Sequence, residues 1–217
     1  MLSLPVVVML TLLPAPGLNA DLALGYQGET GVEAKCLLNA GLTAELFNLL
    51  TLDCTAGFSF IEHPGPAGFA LTGGLKLPGF LSPRMDAGFQ HQRWTGWNTS
   101  ENRLFGLVQV EPLSRLELGL GICRRLPAPG MNEWNIIYRF GWRLLETPKF
   151  GLTARLTNLD RLEILNPQQF PISLDGAYRF TPRWQLVGRA RLAFNGFSTG
   201  LIYPSALRAE IGVKYGK

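Results

Sequence analysis

Between residues 50 and 60 the chain alternates Leu50, Leu52, Cys54, Ala56, Phe58 and Phe60 with Thr51, Asp53, Thr55, Gly57 and Ser59. The same two-residue period returns along the chain, which commits the backbone to extended strands with one apolar and one polar face. Twelve segments carry it, at about 21 to 30, 33 to 45, 49 to 61, 67 to 78, 84 to 94, 102 to 111, 115 to 125, 132 to 144, 149 to 160, 170 to 180, 183 to 195 and 205 to 215. Clusters of Gly, Pro, Asn and Ser separate them, and no helical period competes. The eighth sets Trp134, Ile136, Tyr138, Phe140, Trp142 and Leu144 against Asn135, Arg139, Gly141 and Arg143. Only the sixth is ambiguous, because Phe105 and Leu107 oppose Leu104, Val108 and Val110.

Strand length and polarity decide what the apolar face meets. With 47% hydrophobic and 17% charged residues in 217, the chain suits one domain. Strands of about ten residues, even in number, fit a sheet that spans a bilayer, where only closure satisfies every backbone group. The expected fold is all-β: a single closed antiparallel transmembrane β-barrel over 21–217, of about twelve strands. Ten or fourteen strands remain open, because only the short Glu29 to Val32 link joins the first two segments. A soluble sandwich or lipocalin-like barrel is the competing reading. After residue 20 no apolar run reaches about 18 residues, so no membrane-spanning helix is expected.

The links add an independent test. Those after even-numbered segments are mostly tight, at 111–114, 146–149 and 181–183, whereas several after odd-numbered segments are longer, at 95–101, 126–131, 161–169 and 196–204. That asymmetry is expected of an outer-membrane barrel with both termini on the tight-turn side. Phe180 and Trp184 flank the Pro182 turn, Trp142 and Phe150 flank the Pro148 turn, and Tyr215 ends the last segment on that side. Trp134, Phe170 and Phe194 stand at the opposite ends, so two interfacial girdles are expected.

Residues 1–20 hold an apolar run from Leu2 to Leu13, then small or polar residues before Asp21, and read as a secretory signal cleaved after Ala20. Cys36, Cys54 and Cys123 are odd in number and lack zinc spacing, so they read as apolar fillers. His63 lies in a Pro-Gly turn, and His91 shares parity with Met85, Ala87 and Phe89. No nucleophile-elbow or His-linked serine motif accompanies them, so no catalytic residue, metal or cofactor is expected and the chain is read as a non-enzyme. Arg93 and Arg124 share the outward parity, as cations placed to reach anionic head groups or as ordinary interfacial arginines.

The polar face is rich in arginine. Pairing across the Pro182 turn sets Asp175 opposite Arg189 on that face, with Tyr178 opposite Leu186 on the other. A cation on the lipid face costs roughly 2 to 4 kcal/mol near the midplane, so the arginine face must be the lumen. Residues 1–114 carry 5 Lys+Arg and 9 Asp+Glu, a net of −4, whereas residues 115–217 carry 15 and 7, a net of +8. One wall of the barrel is therefore basic. By parity the lumen receives Arg115, Arg125, Arg139, Arg143, Arg155, Asp175, Arg179, Arg189, Arg191, Arg208, Glu210 and Lys214, facing Glu33, Lys35, Asp53, Lys76 and Asp86. Pairing across the Pro148 turn brings Arg139 near Arg155, and constriction is expected from wall side chains alone. The charges either make a transverse field across a water path, favouring small anionic or zwitterionic solutes, or close into a salt-bridge plug. They lie on an internal face, so no nucleic-acid partner is expected.

The last segment alternates Leu207, Ala209, Ile211, Val213 and Tyr215 with Arg208, Glu210, Gly212 and Lys214. On this strand and the whole 21–217 pattern, the chain resembles the outer-membrane β-barrel class of Gram-negative bacteria and spirochaetes, without a particular family; Gly216 and Lys217 follow the aromatic where the class usually stops. The resemblance implies location in the bacterial outer membrane after export, contact with outer-membrane lipids, and a last strand recognised by the barrel-assembly machinery. It implies a porin-like channel, with a structural or adhesive barrel or an outer-membrane lipid-modifying enzyme as alternatives.

Overall fold

The computed structural model describes residues 17–29, 32–46, 49–60, 64–79, 81–94, 99–126, 134–159, 170–195 and 202–216. Its strands are β1 (Leu18–Glu29), β2 (Val32–Leu46), β3 (Leu50–Ser59), β4 (Gly65–Lys76), β5 (Arg84–Trp94), β6 (Thr99–Leu113), β7 (Leu116–Leu126), β8 (Trp134–Glu146), β9 (Phe150–Thr157), β10 (Phe170–Arg179), β11 (Trp184–Asn195) and β12 (Tyr203–Tyr215). Each pairs antiparallel with its chain neighbours, and β1 pairs with β12, so the twelve strands form a closed barrel. β1 starts at Leu18, so the expected cleavage after Ala20 falls inside a strand whose Ala20 is the register partner of Tyr215.

The alternating sequence divides the sheet into two faces. Leu52, Leu71, Met85, Leu120, Ile136, Leu174 and Ile211 are exposed on the outside, while Asn39, Asp86, Gln109, Arg191 and Arg208 are buried inside. This is the reverse of a soluble barrel, where the apolar face would be hidden. On β6 the ambiguity resolves cleanly: Leu104 and Val108 are 46% and 49% exposed, Phe105 and Leu107 only 7% and 2%. Glu101, Arg103, Gln109 and Glu111 share the parity of Phe105 and Leu107, so four polar side chains set the inward face of β6 and two apolar ones follow them.

Hairpin register follows turn length. Across the Pro182 turn, Asp175 pairs with Arg189, Gly176 with Gly188 and Tyr178 with Leu186. Across the Pro148 turn Arg139 does come near Arg155, as a diagonal rather than a directly opposed neighbour: Arg139 is opposite Thr157, and Arg155 is opposite Gly141. An irregularity between Arg143 and Leu145 shifts the ladder there, and both Leu144 and Leu145 are exposed. A bulge of this kind displaces every pair beyond it.

β9 ends early for a specific reason. Asn158, buried next to its end, accepts from the Tyr138 backbone N–H through Oδ1 (2.9 Å) and donates through Nδ2 to the Ile136 carbonyl (2.8 Å). The side-chain amide satisfies the β8 backbone in place of a strand residue. Leu159 then packs inside the barrel with Phe105, Leu107, Cys123 and Ile137. Leu159, within the expected ninth segment and on the parity of Arg155 and Thr157, thus helps fill the interior. Gly88 makes room for Phe105, since a Cβ there would sit 2.5 Å from Phe105 Cζ.

Candidate functional site: the charged interior

An ion-pair ladder lines β9 to β12. Asp175 on β10 receives the guanidinium groups of Arg155 from β9 and Arg189 from β11. Arg189 Nη1 also lies 3.8 Å from Glu210 Oε2 on β12. Glu210 accepts from Arg208 Nε at 3.0 Å and, across β1, from Asn39 Nδ2 at 2.7 Å. Gly25 lies between them, where a Cβ would come within 3.0 Å of Glu210 Cγ. Two carboxylates thereby fix three arginines against one arc, leaving the ladder cationic.

A second network crosses β5 to β8. Arg84 Nε donates to Asp86 Oδ1 (2.7 Å), and Gln109 donates to the other Asp86 oxygen. Gln109 in turn accepts from Arg139 Nη1 (3.0 Å), which lies 3.5 Å from Glu117 Oε1. Arg139 Nε is buried with no hydrogen-bond partner among the described residues. At the long-link end a third cluster joins Glu101 to Arg103 (2.7 and 2.8 Å) and to Arg125 (3.1 Å). The apolar group around Phe105 separates these two networks along the wall.

The opposite arc is built of short side chains. Asp53 on β3 accepts from the hydroxyls of Thr43 (2.8 Å) and Thr55 (3.1 Å). Among the described residues no cation pairs with it. Space remains between the arcs: one cavity of about 470 Å³ is bounded by Thr43, Asp53 and Thr72 on one side and by Arg139, Arg155, Arg189 and Arg191 on the other. A second, of about 330 Å³, lies between Asp21, Thr153, Gln185 and Gly212. Both cavities are bounded by Arg155, Asp175, Arg189 and Lys214. That group stands where the two spaces meet.

The interior thus brings together Asp53, Asp86, Arg139, Arg155, Asp175, Arg189, Arg191, Arg208, Glu210 and Lys214. It does not include Arg115, which is an exposed residue of the β6–β7 turn because β6 continues to Leu113; its carbonyl accepts the Arg143 N–H at 2.9 Å. Arg143 stands at the same rim, donating to the Ser114 carbonyl (3.0 Å) and lying 3.4 Å from Glu111. Arg179 and Lys76 are exposed at the tight-turn ends of β10 and β4 and line neither cavity. The side chains of Glu33 and Lys35 lie outside the described residues. Sequence reasoning passed over Arg84, Glu101, Arg103, Gln109 and Glu117; their shared parity on β5, β6 and β7 was the available signal.

All eight aromatic candidates carry outward parity. Trp134, Trp142, Phe150 and Phe180 are exposed, Trp184 and Tyr215 lie with ring centroids 4.8 Å apart, Phe170 is 6.1 Å from Tyr138, and Phe194 is half-exposed. Arg124 lies over Trp134 at 5.6 Å. Outward-facing His91 donates through Nδ1 to Asn102 Oδ1 (2.8 Å) and stacks on Phe69 at 5.4 Å. His63 lies outside the described residues.

No family model and no curated protein matches the chain, whereas solved structures do. An outer membrane channel from Pseudomonas putida F1 superposes with a TM-score of 0.60 at 12% identity, covering 94% of this chain and 96% of that one. The NanC porin gives 0.56 at 10% identity, covering 91% and 100%. Outer membrane phospholipase A from Escherichia coli gives 0.52 at 11% identity, covering 95% and 93%. At such identity the likeness is one of fold, which hosts both channels and an enzyme: the chain is a closed twelve-stranded antiparallel barrel whose structural neighbours are outer-membrane barrels.

Proposed function

We propose that the chain is an outer-membrane channel, exported by its first twenty residues, that passes small anionic or zwitterionic solutes through an arginine-lined lumen. The observation carrying this reading is the pair of cavities bounded in common by Arg155, Asp175, Arg189 and Lys214. A continuous charged lining is what a hydrated path needs, whereas a filling plug would leave no such space. The outward aromatics are assigned to the two membrane interfaces and the last strand to recognition by the assembly machinery.

Planar-bilayer recording on the refolded chain tests the proposal. Stable currents with anion preference are expected, and replacing Arg139, Arg155 and Arg189 by glutamine lowers the anion-to-cation permeability ratio. A correctly folded barrel that passes no current refutes the channel and favours a structural or adhesive barrel with a plugged lumen.

The outward His91–Asn102 hydrogen bond supports a second reading, a lipid-modifying enzyme, since one structural neighbour is a phospholipase. A nucleophile must then reach the free ring nitrogen. Ser100 is the nearest outward hydroxyl by register, opposite Arg93. Phospholipid hydrolysis by the purified barrel, abolished by Ser100→Ala, would establish that reading; no hydrolysis is expected.

A further inference from the structure

The charges lining the larger cavity are not equally committed. On the β9–β12 arc nearly every carboxylate is engaged: Asp175 holds two arginines, and Glu210 holds Arg208 and Asn39. Asp86 is likewise engaged by Arg84 and Gln109. Asp53 differs, as does Glu45 beside it on the cavity wall: Asp53 meets only two threonine hydroxyls, and neither carboxylate meets a cation among the described residues. A carboxylate facing a basic wall with nothing positive beside it retains its full field for whatever enters.

Two cationic features elsewhere on the wall are complementary: Arg139 on β8, and Lys214 on β12, three strands from Asp53 and four from Arg139. Arg139 Nε is buried and without a partner, although the rest of its guanidinium is held by Gln109 and Glu117. Lys214 bounds both cavities, and no ion pair engages it among the described residues. Asp53 on β3 and Arg139 on β8 lie five strands apart around a ring of twelve, on opposite sides of the space both line. A buried donor with no acceptor costs free energy that a bound anionic group recovers. The interior therefore offers uncommitted acceptors on β2 and β3 and uncommitted donors on β8 and β12.

We infer that this cavity is a binding seat for small zwitterions whose ammonium and carboxylate stand at opposite ends of the molecule, with the ammonium at Asp53 and the carboxylate at Arg139 and Lys214. A simple anion would satisfy one arc and leave Asp53 facing its charge. A simple cation would have the opposite defect. Only a molecule with both ends satisfies both arcs, and the cavity volume of about 470 Å³ falls in the range that encloses small ligands. This deepens the channel reading and rests on it for passage, but binding itself is measurable without transport.

The test is a ladder of ω-amino acids, from glycine to 8-aminooctanoate, beside hexanoate and hexylammonium, titrated by isothermal calorimetry into the refolded full chain in detergent. One chain length should bind best, at least about tenfold tighter than hexanoate, because two charge-assisted contacts replace one. Asp53→Asn should cost that ligand about tenfold and leave hexanoate bound as tightly or more tightly, whereas Arg139→Gln should weaken both. Asp53→Glu, keeping the charge, should largely retain the preference and guards against a variant that fails to fold, as does the heat-dependent gel shift of the folded barrel. Hexanoate binding as tightly as the best amino acid, no binding of any member, or indifference to Asp53→Asn, would overturn the inference. Zwitterion binding without conductance would instead overturn the channel while leaving the seat in place.

Discussion

The β9–β12 arc and the β2–β4 arc face each other across the same space and are built on opposite plans. The first carries long cationic side chains, ordered by Asp175 and Glu210 into a ladder that spans four strands. The second carries Thr43, Thr55, Asp53 and Thr72, short groups that leave room before the wall. The two arcs divide the labour: one supplies an immobilised positive surface, the other supplies volume and the carboxylates of Asp53 and Glu45. A barrel lined throughout like the first would close on itself, and one lined throughout like the second would have no electrostatic preference.

Interior packing gives the largest expected effect. Phe105→Ala removes a buried ring from the group with Ile137 and Leu159, and should lower stability by about 3 kcal/mol in a urea or guanidinium titration. The same variant should raise conductance by opening that side of the lumen. If stability and conductance are both unchanged, the apolar group does not fill the interior as described.

Next comes the ladder against the open arc. Asp175→Asn removes the carboxylate shared by two arginines and should cost about 1 to 3 kcal/mol. Asp53→Asn loses only threonine hydrogen bonds and should cost within about 0.5 kcal/mol. Both substitutions should raise anion selectivity, since each deletes a negative charge from the lumen. Equal destabilisation by the two would erase the proposed contrast between the arcs.

The smallest effect concerns ionic strength. The Debye length shrinks from about 10 Å at 0.1 M to about 3 Å at 1 M, so the anion preference proposed for the lumen should decline as salt rises. The reversal potential in a fixed gradient ratio, recorded at several absolute concentrations, measures this; a preference unaffected by salt would point to size exclusion rather than charge.

The sequence made the barrel legible because alternation and link length are local properties. The Pro182 hairpin was readable to the residue, since a tight link leaves little freedom of register and Asp175 indeed meets Arg189. The Pro148 hairpin was not: Leu144 and Leu145 are consecutive leucines, so parity gives no sign of the irregularity that sets Arg155 opposite Gly141. β6 was ambiguous for the same reason, with apolar residues on both faces until Glu101, Arg103 and Gln109 are counted with Phe105. The inward side of Leu159 follows the parity of Arg155 and Thr157, although the Asn158 amide meeting the β8 backbone could not be read from it. The pairing of Glu210 with Asn39 depends on barrel closure, which brings residues 171 positions apart together and is encoded in no spacing.

The central claim is that apolar side chains face acyl chains while charged ones face water enclosed by the sheet. Spin labels placed one at a time at Ser173, Leu174, Asp175 and Leu186 in the lipid-reconstituted barrel, read for collision with dissolved oxygen and with a water-soluble nickel chelate, test it most directly. Oxygen access is expected at Leu174 and Leu186, and chelate access or immobilisation at Ser173 and Asp175. The reverse pattern, with Leu174 meeting the chelate and Asp175 meeting oxygen, would contradict it.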